Sequence, residues 1–134
     1  MTPASQTDVP PRKRTALIVD DFPSVRFYHA HLVEKAGFKC SVAANGREAL
    51  ELLKKQPFDL LVVDIVMPEM GGEELIKSIR VSNTLAQIPV LVISAEPSGS
   101  RIRRDRTAAA GPVGFVQKPL MPAVILAEIE SLMR

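Results

Sequence analysis

The sequence predicts an α/β domain in which a doubly wound, five-stranded parallel sheet carries helices on both faces. Three observations predict it. Residues 16–19, 60–63 and 90–93 are runs of four consecutive apolar residues, the pattern of strands covered on both sides. Between and after these runs, apolar residues recur at helical spacing. The two kinds of segment alternate strictly from Thr15 onwards as five βα units, which implies a parallel sheet with right-handed crossovers.

Residues 1–14 precede the first unit. They are polar, hold Pro10, Pro11 and the basic triplet Arg12-Lys13-Arg14, and show no apolar period. They read as a flexible tail ahead of one domain spanning 15–134. The triplet lacks interleaved aromatics and reads as a solvated lead-in, not a nucleic-acid arm. The first strand is 16–19. Pro23 suits the first turn of the helix that follows. Val25, Tyr28, Leu32, Val33 and Ala36 mark that helix's inner face, and Gly37 marks its end. A weaker second strand covers 39–43. Asn45-Gly46 makes a turn, and Ala49, Leu50 and Leu53 mark a second helix stopped by Pro57. The third strand, 60–63, leads to a helix marked by Leu75, Ile76 and Ile79. Pro89 bounds the fourth strand, 90–93. Residues 101–110 read as a weak fourth helix. Phe115 and Val116 lie in a fifth strand. Residues 121–133 form a fifth helix with Ile125, Ile129 and Leu132 facing inward.

Composition bounds the function classes. A chain of 134 residues fits one domain with one core. Aromatics are scarce and Trp is absent, so that core must be aliphatic. A net charge of +2 gives no general reason to expect nucleic-acid binding, and no segment reads as a DNA-binding domain. The lone cysteine, Cys40, cannot form an internal disulfide and suits a reducing compartment. It reads as a small buried hydrophobe. No apolar run is long enough for a membrane segment, and the N-terminus lacks the apolar stretch of a secretion signal. The reading is a soluble, cytoplasmic protein. His29 and His31, two residues apart on a helix, are poorly spaced for a shared metal and read as surface or boundary residues.

Ligands of open α/β sheets bind beyond the carboxyl ends of the strands. The polar residues that close each strand therefore matter. The first strand ends in Asp20-Asp21, the third in Asp64, the fourth in Ser94 and the fifth in Gln117-Lys118-Pro119. Each has a bland explanation alone: Asp20-Asp21 as a helix cap, Ser94 as a turn residue, Lys118 as a solvated cation. Asp64 is harder to dismiss, because a carboxylate beside a buried strand is costly without a partner. Together they make chemical sense. Gathered carboxylates repel unless a cation intervenes, and an all-oxygen set suits a hard ion such as Mg²⁺. A carboxylate can act as a nucleophile towards phosphorus, with Lys and Ser stabilising charge on the transferring group.

These blocks resemble the receiver domain of bacterial two-component response regulators, of the single-domain, chemotaxis-regulator-like type. The carriers are Leu17-Ile18-Val19-Asp20-Asp21, Asp64-Ile65-Val66-Met67-Pro68-Glu69-Met70-Gly71-Gly72, Ile88-Pro89-Val90-Leu91-Val92-Ile93-Ser94-Ala95 and Phe115-Val116-Gln117-Lys118-Pro119. The resemblance covers Thr15 to the C-terminus. It implies a flavodoxin-like strand order, 2-1-3-4-5. It implies that Asp64 is the phosphoacceptor, served by a histidine kinase or a histidine phosphotransfer protein. It implies a Mg²⁺ (or Mn²⁺) cofactor held by Asp20, Asp21, Asp64 and the backbone carbonyl of Val66. Ser94 and Phe115 match the switch pair, and Lys118 matches the phosphate-binding lysine, with a cis bond to Pro119. Phosphorylation then shifts a population between two surface arrangements, read on the fourth helix, fifth strand and fifth helix by a downstream protein that the sequence does not name. Such a protein is not an enzyme beyond assisting its own phosphotransfer and autodephosphorylation. It is expected as a monomer or a weak dimer.

The departures from the family pattern are specific. Gly71-Gly72 can loosen the loop after Asp64. Val66 is apolar where its side chain approaches attacking water, and Glu96 is charged two residues beyond Ser94. The fourth helix opens on Pro97 and Gly99, carries Arg101, Arg103, Arg104 and Arg106 against Asp105, and has little to bury. It reads as a solvated, frayed helix or as a basic docking face. Gly111-Pro112 replaces the acidic turn of relatives. A phosphatase of the haloacid-dehalogenase type needs a second Asp where Val66 stands. A pseudo-receiver does not need the complete acidic set. A receiver excised from a hybrid kinase or longer regulator is the alternative to a stand-alone one.

Overall fold

In the computed structural model of the protein, which describes residues 13–64, 71–94 and 111–134, all five expected strands form. They are β1 (Arg14–Val19), β2 (Phe38–Ala43), β3 (Leu60–Asp64), β4 (Val90–Ser94) and β5 (Val113–Gln117). The order is β2-β1-β3-β4-β5, and every pairing is parallel. The described helices are α1 (Pro23–Lys35), α2 (Gly46–Lys55), α3 (Gly72–Arg80) and a C-terminal helix (Pro122–Met133). The fourth helix expected at 101–110, with its arginines, lies outside the described residues. So do residues 1–12, Val66 and Glu96.

The strands outrun their apolar cores. Arg14, read as the last tail residue, pairs with Phe38, and Ser94 pairs with Gln117. Ladder pairing belongs to the backbone, so it continues past the point where side chains stop being apolar. Alternate side chains feed two cores. Leu17, Val19, Leu61, Val63, Val90 and Val92 pack with Ala49 and Leu53 of α2 and with Leu75, Ile76 and Ile79 of α3. Ala16, Ile18, Leu60, Val62, Leu91 and Ile93 pack with Leu32 and Val33 of α1 and with Ile125 and Ile129 of the C-terminal helix.

The helix ends follow from local chemistry. Pro23 occupies the first turn of α1. Gly37 follows that helix at φ 99°, where a side chain would strain, and its N–H donates to Glu34 O at 3.0 Å. For α2, Asn45 Oδ1 accepts from Glu48 N at 2.8 Å, and Glu48 Oε1 accepts in return from Ala44 N at 3.1 Å. This reciprocal pair satisfies two N–H groups that the first turn leaves free.

Two expectations about α1 are corrected. Tyr28, expected inside, is largely exposed, and His29, expected at the surface, is buried at 3% exposure. The buried residues of α1 are His29, Ala30, Leu32 and Val33, and Tyr28 lies outside that face. A reading guided by apolarity chooses the tyrosine over the histidine. His31 is exposed and Cys40 half-buried, its thiol donating to Ala30 O at 3.6 Å.

Arg80, at the end of α3, is also buried. Its Nη1 donates to Ala86 O at 3.0 Å and Ile88 O at 2.8 Å, and its Nη2 donates to Pro112 O at 2.7 Å. One guanidinium thus ties α3 to the lead-ins of β4 and β5. Gly111 makes room for it: a Cβ there would sit 2.6 Å from Arg80 Cζ and 2.7 Å from Ala86 O. Gly111-Pro112 therefore has a packing role. We expect Gly111→Ala to lower the unfolding free energy by about 1–3 kcal/mol, because the clash involves a backbone oxygen as well as the side chain. Urea denaturation at equilibrium checks this, and an unchanged midpoint would contradict it.

Candidate functional site

The register brings the polar strand ends to one edge. Val19 pairs with Val63, Asp64 with Ile93, and Ser94 with Gln117, so Asp20, Asp64, Ser94 and Lys118 emerge side by side. Asp64 closes β3, the central strand, and is 5% exposed. Lys118 Nζ donates to Asp64 Oδ2 at 2.6 Å. This charge-assisted bond places an ammonium against a carboxylate remote in sequence. Backbone geometry aims the lysine. Lys118 N donates to Ser94 O at 2.8 Å, extending the ladder between β4 and β5 by one step, and the Lys118–Pro119 peptide is cis. Ser94 is buried at the end of β4, and Phe115 is half-buried in β5 against the α2–α3 core.

Asp20 is buried at 1% exposure and is held at two points. Its Oδ1 accepts from Phe22 N at 2.9 Å, and its carbonyl oxygen accepts from Arg26 Nη1 at 3.0 Å. Its Oδ2 has no hydrogen-bond partner among the described residues. His29 Nδ1 lies 3.6 Å from that oxygen and is likewise without a partner. His29 sits within α1 and closes no strand, so the polar strand ends in the sequence do not point to it.

Burial drives the titration of this pair. It pushes the Asp20 carboxyl up to about 6; donation from the Phe22 backbone opposes it, the neighbouring Asp64 carboxylate adds to it, and Lys118 opposes it. Burial pushes the His29 imidazole down to about 4, with the Asp64 carboxylate opposing and Lys118 adding to the shift. His29 is therefore neutral at pH 7.

Asp20 and Asp64 gather oxygen donors where one buried oxygen lacks a partner, and this suits a hard cation that uses one or two carboxylates and keeps its waters. Asp21, next in sequence, is exposed. Among the described residues no group of three or more His, Cys, Asp or Glu side chains is placed to hold a metal ion.

Residues 16–130 match the response regulator receiver domain family. The chain belongs to that family. It is 38% identical over 117 residues to chemotaxis protein CheY-3 of Vibrio cholerae, covering 87% of this chain and 88% of the relative. The crystal structure of Vibrio cholerae chemotaxis protein CheY4 superposes with a TM-score of 0.81 at 30% identity, covering 90% of this chain and 99% of the other. A 130-residue stretch, 97% of this chain, is 32% identical to 13% of the sensor histidine kinase TmoS of Ectopseudomonas mendocina. The flavodoxin-like topology and the two-component, phosphorylation-based signalling class expected from sequence thus stand. Receiver domains are signalling proteins that act with a kinase or phosphotransfer partner and a downstream target, and they generally bind Mg²⁺ in their acidic pocket. Among the described residues no helix is long and apolar enough to cross a membrane.

Asp20 supplies a test of the electrostatics. In the unfolded chain its carboxyl ionises near 3.8, and in the folded, metal-free protein near 6. Between these values the native state binds the extra proton, so ionised Asp20 destabilises the fold above about pH 6, and the penalty disappears as pH falls towards 4. With EDTA present at pH 7.5, Asp20→Asn is expected to be more stable than wild type by about 1–3 kcal/mol. The gap should close as pH is lowered through 6. Paired urea titrations at pH 7.5 and 4.5 decide it; a gap that persists at the lower pH contradicts the burial argument.

Proposed function

We propose that Asp64 accepts a phosphoryl group from a phosphohistidine of a histidine kinase or phosphotransfer protein, in a Mg²⁺-dependent step, and that the product acts on a partner protein. The observation that carries this reading is the 2.6 Å bond from Lys118 Nζ to Asp64 Oδ2, a buried carboxylate with a cation already aimed at it. Lys118 holds the carboxylate in place and offsets its charge. In the step, an Asp64 oxygen forms a bond to phosphorus, the phosphorus–nitrogen bond of the donor breaks, and the imidazole leaves with the electron pair. Lys118 then shifts its bond to a phosphoryl oxygen. Asp20 and Asp64, with Asp21 and the Val66 carbonyl, are the residues that would hold the cation. When bound, Mg²⁺ would neutralise charge on the carboxylates and the transferring group.

Ser94 and Phe115 carry the response. Ser94 lies beside Lys118, whose N–H donates to the Ser94 carbonyl, and its hydroxyl turns towards the phosphoryl group. Phe115 is half-buried and packs against the core under α2 and α3, and it acts as the switch aromatic. The output face comprises β5 and the C-terminal helix, together with residues 101–110, which lie outside the described residues. Exposed apolar side chains flank the site: Phe22 leads into α1, and Met121 and Val124 lie at the start of the C-terminal helix. They suit contact with a helical, histidine-bearing partner.

The test uses a small phosphodonor with Mg²⁺ and intact-protein mass measurement. Wild type should gain one acid-stable, base-labile phosphoryl group, and Asp64→Asn none. Lys118→Ala is expected to slow labelling by about 100-fold, the scale of a lost charge-stabilising donor. Equal labelling of Asp64→Asn and wild type would overturn the assignment.

A further inference from the structure

His29 is a buried polar group beside the acidic strand ends that the phosphoacceptor reading leaves unused. It lies one turn along α1 from Arg26, so the two residues share a helix face. Arg26 holds the Asp20 backbone by its carbonyl, and the Phe22 N–H holds Oδ1. The remaining oxygen, Oδ2, faces His29 Nδ1 across 3.6 Å, and among the described residues neither atom has another partner. Two orphaned buried atoms of complementary type, one an acceptor and one able to donate, are each costly apart and satisfied together.

We propose that His29 is a positioning residue for Asp20: its Nδ1–H closes onto Oδ2 and fixes the rotation of the carboxylate that faces Asp64. A neutral imidazole carries one N–H, and an ionised carboxylate only accepts, so the pairing requires the proton on Nδ1. The carboxylate is then pinned at both oxygens, by Phe22 and by His29, with its remaining lone pairs left for a cation. A histidine placed behind a carboxylate in this way acts as outer-shell support, and removing such support costs about 10- to 100-fold in metal affinity. The competing explanation is a histidine that merely fills space behind the sheet. An apolar residue would fill that space better, since it leaves no polar atom unsatisfied.

The inference rests on the reading of Asp20 as a cation-binding residue, and the experiment separates the two. Mg²⁺ is titrated calorimetrically into the full chain as wild type, His29→Leu and His29→Asn, and the melting temperature of each is recorded in EDTA. Asn places an N–H close to the position of imidazole Nδ1, while Leu removes it. His29→Leu is expected to bind Mg²⁺ at least tenfold more weakly, with a melting temperature equal to or above wild type. His29→Asn should stay within about threefold of wild type, since it restores the donor. Nitrogen-15 spectra of the wild-type imidazole should show the neutral, Nδ1-protonated tautomer; this readout does not depend on the variants folding. Unimpaired Mg²⁺ binding by His29→Leu overturns the inference, as does an equal loss in His29→Asn or a proton found on Nε2. Wild type failing to bind Mg²⁺ at all would overturn the cation reading of Asp20, and the role of His29 with it.

Discussion

A carboxylate at the buried end of the central strand needs a cation, and the site is arranged around that need. Asp64 closes β3, which has a strand on each side and a helix layer over each face. Its carboxylate meets a cation at the carboxyl edge of the sheet. Lys118 supplies the charge at 2.6 Å, and it reaches that position because β5 is registered on β4 to the last residue. The sheet order thus decides the chemistry: with β5 elsewhere, Asp64 would be buried without its ammonium. Two neighbouring carboxylates against one ammonium still leave the pocket with excess negative charge. That excess raises the Asp20 pKa beyond what burial does and makes the pocket a place for a divalent ion.

Much of this was legible in the sequence, for a physical reason. Strands covered on both faces must be apolar throughout, so a polar residue ending such a run stands out. Asp20, Asp64, Ser94 and Lys118 each follow a run or a strand that needs no charge, and parallel topology then places them at one edge. The helix boundaries were legible because caps are local: Pro23, Gly37 and Asn45 act within a turn of where they stand.

What was not legible is the burial of polar groups, because it depends on partners distant in sequence. Arg80 reads as one more cation at the end of a helix, and only its bonds to Ala86, Ile88 and Pro112 reveal a staple. The signal was Gly111, a small residue seen as a departure in a turn but explained by a guanidinium thirty-one positions earlier. His29 was missed in the same way. Helical periodicity allowed either Tyr28 or His29 to face the sheet, and hydropathy chose the wrong one. The geometric constraint that decides it is the angular position of the face set by Leu32 and Val33, which points back to position 29.

These buried polar groups divide by what they do to stability. Arg80 satisfies three carbonyls and stiffens the edge from which β4 and β5 start, remote from the carboxyl end. Asp20 works in the opposite sense: ionised and metal-free, it opposes folding at neutral pH. A chain selected only for stability would not keep an acid with a free oxygen there, nor a histidine behind it. Their retention makes sense if the penalty is removed when a cation arrives, because ligand binding to the native state restores what the vacant charges cost. The fold therefore has one end tied by Arg80 and another where the Asp20 and Asp64 carboxylates repel. On the receiver reading, the acidic end is where phosphorylation changes the charge balance, and Lys118, bonded to Asp64 and to the Ser94 backbone, links that change to the end of β5.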